Sequence, residues 1–387
     1  MDTSQDKMIF LADFHVKART WTNNTQVRGD AYKLMQTIGD YAEAHNINTL
    51  LIGGDFFDSN RPTPDDLVQT VDFLTRFEHV WYIRGNHDSC DPSYLEAISR
   101  IMGTKQHIIQ LLGHIVHLPN NVCLTGIPWM PNKEEYRKAV FDTIRYFNEN
   151  YDKKYKLYLL LHTAFKEVLS FDGVYTFSTA DFSDLCPNHN INLLVGDVHK
   201  RDTRLCGFFK QEESIGSLVF HSPGSVYPLQ FNEANEFHGV TIVNTKETGV
   251  DQFRPLGIKV RDYVNYEYKD PAELSLFLDT VKDMPEYRGG ALPLYVRVVV
   301  PVGVDVPRID MSQYPDMIVQ IQLEMDVEGV DNKTASVQDG YTLEQAINDE
   351  FEDKDVAEIA NTLVSVPDPA EELRKYVDFW GVERTVL

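Results

Sequence analysis

The chain has little positive charge, few cysteines and no long hydrophobic run. Its 387 residues include 36 Lys and Arg against 59 Asp and Glu, which gives a formal net charge of −23. Because proteins contact nucleic-acid phosphates through Lys and Arg, this balance disfavours DNA binding by overall charge. Three interpretations stay open. The protein does not bind nucleic acid, it binds through metal ions and a local basic patch, or a partner supplies the affinity.

The other shortages exclude several classes of protein. Cys90, Cys123, Cys186 and Cys206 are scattered without close pairs, which argues against a zinc ribbon and a disulfide framework. Residues 1–7 are short and polar, unlike a signal peptide. No apolar run approaches the roughly 20 residues that cross a bilayer. We therefore expect a cytoplasmic protein that does not associate with membranes.

The chain does contain an ordered series of short polar clusters, each of which follows an apolar, strand-like run. Carboxylate, imidazole and amide groups at the ends of adjacent strands can converge on one point. Such a set of oxygen and nitrogen ligands suits two divalent cations. The clusters are Asp13-Phe14-His15, Gly54-Asp55, Gly85-Asn86-His87-Asp88, His162 and Gly196-Asp197-Val198-His199.

Taken singly, most of these clusters have an ordinary explanation. Asp-x-His pairs occur by chance, Gly54-Asp55 is typical of a turn or helix cap, and His162 alone is more often a core histidine. By contrast, the run 86–88 at a strand end is hard to explain as packing, because three polar groups would lie unpaired or in solvent. The order and strand context of all the clusters together favour a two-metal site.

The pattern along the chain predicts an α/β core followed by a smaller unit. Strand-like and amphipathic helix-like runs alternate from residue 8 to about 244, with helices expected over 30–45, 64–77 and 134–150. Such alternation favours a sheet covered by helices. We expect a catalytic domain over 1–250, a small β-α-β-β cap over 251–326, and a linker with a helical tail over 327–387. The last tail helix carries one apolar face, formed by Leu373, Tyr376, Val377 and Trp380.

The order of the polar clusters resembles that of the calcineurin-like metallophosphoesterase superfamily, over roughly residues 8–243. The resemblance implies a four-layer α-β-β-α core of two packed mixed sheets. It also implies two divalent cations bridged by Asp55, with Mn²⁺ favoured and Mg²⁺ as the alternative. The first ion would be bound by Asp13, His15, Asp55 and His199, and the second by Asp55, Asn86, His162 and Asp197.

The same resemblance assigns roles to the residues beside these ligands. His87 would face the phosphoryl group and help protonate the leaving oxygen, and Asp88 would orient His87. Asp197 departs from the family, which usually has histidine there. An aspartate can still ligate, and the alternative is a displaced side chain and a weak second site.

Further segments resemble the SbcD-type DNA repair nucleases. Residues 54–62, Gly-Asp-Phe-Phe-Asp-Ser-Asn-Arg-Pro, are similar to their Gly-Asp-Leu-Phe-x-x-x-Arg-Pro segment, and residues 126–129 and 222–231 are also similar. Asp58 stands where those enzymes usually carry a histidine near the substrate phosphate, which puts one catalytic contact in doubt. Arg61 and Lys200 are the expected substrate-binding cations. The protein phosphatase pattern Gly-Asp-x-Val-Asp-Arg-Gly is a poorer match.

These resemblances predict a two-metal DNA phosphodiesterase, the nuclease subunit of a complex with an SbcC-like SMC-type ATPase. The tail helices would bind that ATPase, and the nuclease would form a homodimer within a heterotetramer. The substituted positions fit a divergent member, such as a phage nuclease working in the host cytoplasm. The alternatives are a cytoplasmic metallophosphatase acting on nucleotides or phosphoproteins, and a scaffold with a degenerate metal site.

Overall fold

The computed structural model describes most of the chain up to residue 323. The described ranges are 6–20, 27–88, 90–102, 107–166, 176–182, 185, 189–211, 214–229, 233–234, 236–284, 291–301, 303–305 and 307–323. The tail expected over 327–387 lies outside these ranges, and so do its proposed anchors Leu373, Tyr376, Val377 and Trp380. Among the described helices, none is long and apolar enough to cross a membrane.

Strands and helices alternate through the first part of the chain and are numbered here in chain order. They are β1 (Lys7–Leu11), α1 (Asp30–Ala44), β2 (Thr49–Gly53), α2 (Pro64–Leu74), β3 (His79–Ile83), α3 (Tyr94–Met102), β4 (His107–Gln110), β5 (Val116–Leu118), β6 (Val122–Ile127), α4 (Lys133–Asn150), β7 (Lys156–His162), β8 (Asn190–Gly196), β9 (Asp202–Gln211), β10 (Ser214–Ser222), β11 (Gly239–Asn244), β12 (Phe253–Gly257), β13 (Tyr263–Glu267), α5 (Pro271–Asp283), β14 (Leu294–Val300) and β15 (Met317–Leu323).

Two mixed six-stranded sheets form the core. The first has the order β12-β11-β1-β2-β3-β4, and the second has the order β5-β6-β7-β8-β10-β9. In each sheet the central strands are parallel. Antiparallel pairs form between β1 and β11, β11 and β12, β5 and β6, and β9 and β10.

The hydrophobic clusters show how these sheets are layered. On β1, Ile9 and Leu11 pack in a cluster with residues of α1, α2 and α3, whereas Met8 and Phe10 pack against residues of the second sheet. This division follows the two-residue period of a strand. The other face of the second sheet packs against α4. The expected four-layer α-β-β-α core is therefore confirmed.

Local capping signals account for several helix starts. Thr63 and Asp66 form a capping box at the start of α2, and Asn132 accepts hydrogen bonds from two backbone amides of α4. The helices expected over 30–45, 64–77 and 134–150 are present, with ends that differ from the expected ones by up to three residues. A sequence pattern predicts the ends of a helix less accurately than its interior, because helix ends fray.

A smaller parallel sheet, β13-β14-β15, follows the two core sheets. Helix α5 packs on it, and the side chain of Asp270 accepts hydrogen bonds from Ala272 and Glu273 at the helix start. This is the β-α-β-β arrangement that the sequence predicts. The strand β12 lies beyond residue 250 but pairs with β11 in the first core sheet. The core sheet therefore extends to Gly257, and the three-domain division stays a prediction.

A buried ion pair joins the start of α1 to the segment that leads into the small sheet. Arg261 Nε donates to Asp30 Oδ1 at 2.9 Å, and Tyr263 donates to the same oxygen at 2.7 Å. Thr20 donates to the other oxygen of Asp30 at 2.6 Å. Asp30 and Arg261 are 0% and 3% exposed, so this charge pair is fully removed from water.

Candidate metal centre

The predicted site residues meet at the carboxyl ends of five strands. Asp13 and His15 follow β1, and Asp55 follows β2. Asn86 and His87 follow β3, His162 is the last residue of β7, and Asp197 and His199 follow β8. Because parallel strands end at the same edge of their sheets, residues far apart in sequence lie close together here.

The backbone at this edge turns sharply. Asp13, His15, Asp55 and Asp197 all have positive φ angles, of 50°, 47°, 48° and 75°. Side chains other than glycine rarely adopt this left-handed conformation, and such residues cluster at functional sites. The turns are fixed by neighbouring backbone, since His15 N donates to Asp55 O at 3.0 Å.

Two glycines leave room for the side chains of the site. A Cβ on Gly85 would lie 2.0 Å from Asp55 Oδ1, and a Cβ on Gly54 would lie 2.3 Å from His162 Nδ1. Gly54 also has a φ of 95°, which disfavours any other residue. These glycines therefore let Asp55 and His162 approach the centre of the site.

Asp55 lies at the centre of the cluster. Its Oδ2 atom is 3.3 Å from His162 Nε2, 3.8 Å from His15 Nε2 and 3.9 Å from His87 Nε2. Its Oδ1 atom accepts a hydrogen bond from the backbone of His87 at 2.9 Å. A carboxylate surrounded in this way can bridge two cations.

Three overlapping groups in the described residues place ligand atoms within 4.8 Å of one another. They are Asp13 with His15 and His199, His15 with Asp55 and His87, and Asp13 with Asp55 and His162. Asn86 Oδ1 and Asp197 Oδ1 also approach His162 Nε2, at 3.1 and 3.8 Å. All seven residues expected as metal ligands therefore lie together.

The residues fit a divalent cation. His15 Nε2 is buried without a hydrogen-bond partner in the described part of the chain. Leaving such an atom unpaired is costly, and a metal ligand bond removes that cost. The donor set combines carboxylate and amide oxygens with imidazole nitrogens, which suits Mn²⁺ or Mg²⁺ together with borderline ions.

The electrostatics of the site couple Asp55 to His162. Burial raises the pKa of Asp55, but the neighbouring imidazoles of His162 and His15 outweigh it and lower this pKa to about 2. Burial likewise lowers the pKa of His162, but the carboxylates of Asp55 and Asp13 raise it to about 10. Without a cation, a proton on His162 balances part of the negative charge.

Burial dominates the pKa of two other candidate ligands. It raises the pKa of Asp13 to about 6 and lowers the pKa of His15 to about 3. His15 is therefore held as the neutral imidazole that a metal requires. Asp13 must lose its proton to bind a metal, so a bound cation and neutral pH both favour its ionised carboxylate.

The residue at position 197, where the family usually has histidine, lies in the cluster. Its backbone N–H donates to both carboxylate oxygens of Asp13, at 3.0 and 3.1 Å. Its side chain is 36% exposed, and the partial burial of the carboxylate raises its pKa. The carboxylate faces His162, so the expected ligation by Asp197 remains a prediction with compatible geometry.

The expected partnership of Asp88 with His87 is wrong. The carboxylate of Asp88 accepts from the backbone amides of Phe56 and Phe57, at 2.9 and 3.0 Å. The imidazole of His87 instead donates from Nδ1 to the carbonyl of Asp58 at 2.6 Å. Asp88 is buried and fixes the loop that carries Asp55, because two backbone N–H groups there need an acceptor.

Of the remaining predicted residues, Asp58 contacts the cluster, whereas Arg61 and Lys200 are exposed. Asp58 Oδ1 is 3.6 Å from His15 Nδ1 and 2.8 Å from Lys17 Nζ. Arg61 is exposed, and its backbone N–H bonds to Ser59. Lys200 follows His199 directly and is also exposed.

Sequence reasoning missed residues that position the ligands. Glu233 Oε1 is 3.3 Å from His199 Nδ1, and its other oxygen accepts from the backbone of Leu229 at 2.9 Å. The hydroxyl of Tyr136 accepts from the backbone N–H of His162 at 3.1 Å. Hydrogen bonds of this kind orient metal-binding imidazoles. Neither residue has a local sequence signal, since both are distant from their partners along the chain.

The comparison with protein families agrees with this geometry. The family model for calcineurin-like phosphoesterases matches residues 7–201, which is half of the chain and carries every candidate ligand. The chain belongs to the calcineurin-like phosphoesterase family. Membership implies a hydrolase of phosphate esters.

Curated relatives of this phosphoesterase include proteins named DNA double-strand break repair protein Mre11. The protein from Methanosarcina acetivorans is 26% identical over 236 residues, covering 58% of this chain and 36% of that protein. The protein from Saccharolobus solfataricus is 24% identical over 174 residues, covering 43% of each chain. The phosphoesterase therefore aligns with less than half of the length of these relatives.

A comparison with solved structures matches a protein of Thermus thermophilus and a dimetal phosphatase from Danio rerio. The first has a TM-score of 0.38 at 11% identity and covers 63% of this chain and 98% of its own. The second has a TM-score of 0.37 at 11% identity and covers 62% of this chain and 92% of its own.

Proposed function

We propose that this phosphoesterase is a two-metal DNA nuclease, the nuclease subunit of a complex with an SMC-type ATPase. The observation that carries the proposal is Asp55 Oδ2, which lies within 3.9 Å of three imidazole nitrogens at the ends of three different strands. The curated relatives named as DNA double-strand break repair proteins support DNA as the substrate.

The ligand assignment follows the strand ends. Asp13, His15, Asp55 and His199 would hold one cation, and Asp55, Asn86, His162 and Asp197 would hold the other. The cations, with Mn²⁺ favoured, would supply Lewis-acid activation of water and of the phosphate. Glu233 and Tyr136 would hold the imidazole of His199 and the backbone of His162 in the geometry that binding requires.

His87 is the group of this chain best placed to act on the leaving oxygen. Its Nδ1 donates to the carbonyl of Asp58, which fixes the ring, and its Nε2 faces the cluster 3.9 Å from Asp55 Oδ2. The side chain is 42% exposed, so substrate can reach the ring. When Nε2 carries a proton, it can donate that proton to the departing alkoxide.

The rest of the proposal concerns partners. The net charge of −23 opposes binding of DNA by the chain alone, so an ATPase partner would supply part of the affinity. The tail helices with Leu373, Tyr376, Val377 and Trp380 would bind the coiled coil of this partner, in a homodimer of the nuclease within a heterotetramer. The complex would work in the cytoplasm.

A substrate panel tests the proposal against its main alternative. The purified protein with Mn²⁺ would be given linear DNA, a nucleoside monophosphate and a phosphopeptide. We expect nucleotides to be released from DNA, faster when the ATPase and ATP are present. Release of phosphate from the monoesters, with DNA left intact, would identify a cytoplasmic metallophosphatase instead.

A further inference from the structure

Lys17 carries a positive charge at the edge of the candidate metal centre. Its Nζ donates to Asp58 Oδ1 at 2.8 Å, and the side chains of Lys17 and Asp58 are 21% and 34% exposed. The ion pair therefore restrains both side chains, and each remains partly exposed to solvent.

The backbone holds this pair at the site. Val16 N donates to Phe56 O at 2.8 Å and Asp58 N donates to Val16 O at 3.4 Å, so the segments after β1 and β2 run side by side. The positions of Lys17 and Asp58 therefore follow from the same pairing that places His15 and Asp55.

Asp58 also joins the lysine to the reacting part of the cluster. Its carboxylate lies 3.6 Å from His15 Nδ1, and its carbonyl accepts from His87 Nδ1 at 2.6 Å. Asp58 is therefore hydrogen-bonded to Lys17 and to the candidate acid His87, and its carboxylate lies close to the candidate metal ligand His15.

The charge of the site gives this lysine a role. Asp13, Asp55 and Asp197 line the cluster, and Asp58 adds a further carboxylate at its edge. A phosphodiester is an anion, so it needs cations on the side from which it approaches. An ammonium has three donors, and the bond to Asp58 occupies one of them.

We propose that Lys17, held in place by Asp58, binds a non-bridging oxygen of the substrate phosphodiester beside the candidate metal ligands. This inference rests on the proposed function, since it names the group that receives the phosphate. Lys17 is the substrate-binding residue, and Asp58 is a positioning residue that acts through it.

The test uses the full chain with Mn²⁺ and the variant Lys17→Met. Binding of a labelled DNA duplex, with phosphorothioate linkages that slow its cleavage, is measured over a range of salt concentrations. Loss of one phosphate contact should reduce the slope of log affinity against log salt by about 0.9. Cleavage of normal DNA should show a raised KM, with bound Mn²⁺ unchanged.

Three further variants separate phosphate binding from a purely structural ion pair. Lys17→Arg keeps the charge and should keep the salt slope. Asp58→Asn should weaken binding in the wild-type background and have little effect in the Lys17→Met background, because it acts through the lysine. Lys246→Met removes a lysine that pairs with Asp6 at the opposite end of β1, and it should change neither slope nor KM.

The outcomes separate this inference from the proposed function. If the salt slope of DNA binding and the KM are both unchanged in Lys17→Met, the lysine does not bind the phosphate. The proposed nuclease activity would still stand if the wild type cleaves DNA. If the wild type hydrolysed bis(p-nitrophenyl) phosphate but not DNA, the nuclease proposal would fail. Lys17 would then be tested by the KM for that diester, which should rise in Lys17→Met and stay unchanged if the pair is only structural.

Discussion

At the residue scale, Asp55 is the group on which the proposed metal centre depends. Its Oδ2 atom faces three imidazoles, and only a carboxylate there can bridge two cations while offsetting their charge. We expect Asp55→Asn, which keeps the size of the side chain, to lose most bound Mn²⁺ at both sites. Elemental analysis after dialysis measures this directly, and two retained ions per chain would contradict the bridging role.

His87 should affect turnover and leave metal content unchanged. Replacing it with alanine removes the candidate acid but leaves Asp13, Asp55 and His162 in place. We expect hydrolysis to fall by about 10²- to 10⁴-fold, the range for loss of a general acid. Turnover near the wild-type rate would show that the imidazole has no such role, and loss of bound Mn²⁺ would show that it is a ligand.

The charge on His162 predicts that cation binding releases protons. The nearby carboxylates raise its pKa to about 10, so the metal-free imidazole is charged at neutral pH, and a ligand must be neutral. Affinity for Mn²⁺ should therefore increase with pH. Calorimetry near neutral pH, in buffers of different ionisation enthalpy, should show proton release. Heats that do not depend on the buffer would contradict it.

The same shift has a consequence for the stability of the metal-free protein. The pKa of His162 is raised from its unfolded value of 6.5 to about 10. Its protonated form therefore stabilises the fold fully just below pH 6.5, and this contribution is lost as pH rises through the folded value of about 10. Bound cations should replace it, so Mn²⁺ should raise the Tm more at alkaline pH than at pH near neutrality.

The sequence predicts the metal ligands but not the residues that orient them. Asp13, Asp55 and His162 follow strand-like runs, and strand ends are recognisable from the local pattern alone. The hydrogen bonds of Glu233 and Tyr136 to their partners depend on how distant segments pack. For the same reason the sequence does not predict the partners of Asp88, since adjacency in sequence does not fix where a side chain points.

At the element scale, the buried pair of Asp30 and Arg261 ties α1 to the segment before β13. Arg261→Met would leave Asp30 buried and without its cation. We expect the free energy of unfolding to fall by about 3–5 kcal/mol, the usual cost of breaking a buried pair. Urea denaturation measures this fall.

An exposed ion pair provides the matched control. Arg254 donates to Glu247 at 2.6 Å, and its side chain is 66% exposed. Arg254→Met should lower the free energy of unfolding by no more than about 1 kcal/mol. If the Arg254 and Arg261 substitutions lowered the free energy of unfolding equally, burial would not strengthen the Asp30–Arg261 pair.

Helices and strands were predictable to the extent that their signals are local. The start of α5 follows from Asp270 and the proline after it, and the continuous apolar run of β1 is typical of a strand buried on both faces. The membership of β12 in the first core sheet was not predictable. Polar residues before that strand suggest a boundary, whereas its pairing with β11 is a non-local contact.

At the scale of the whole molecule, the charge of −23 and the expected tail are the basis of the proposed assembly with an ATPase. Deletion of residues 341–387 should leave a folded phosphoesterase core that still binds Mn²⁺. It should abolish co-purification with the ATPase and any stimulation of DNA degradation by ATP. A truncated chain that still assembles would place the docking site elsewhere, and a truncated chain that unfolds would show that the tail packs on its own core.

The central claim is that this phosphoesterase hydrolyses DNA at the Asp55 cluster. Its most direct test is a time course with end-labelled linear duplex DNA, Mn²⁺ and the purified full chain, with and without the ATPase and ATP, and with Asp55→Asn and a chelator as parallel controls. We predict that the wild type shortens the DNA in a Mn²⁺-dependent way and that both controls leave it intact. Degradation that persists in Asp55→Asn, or intact DNA with the wild type in the presence of its ATPase partner, would contradict the claim.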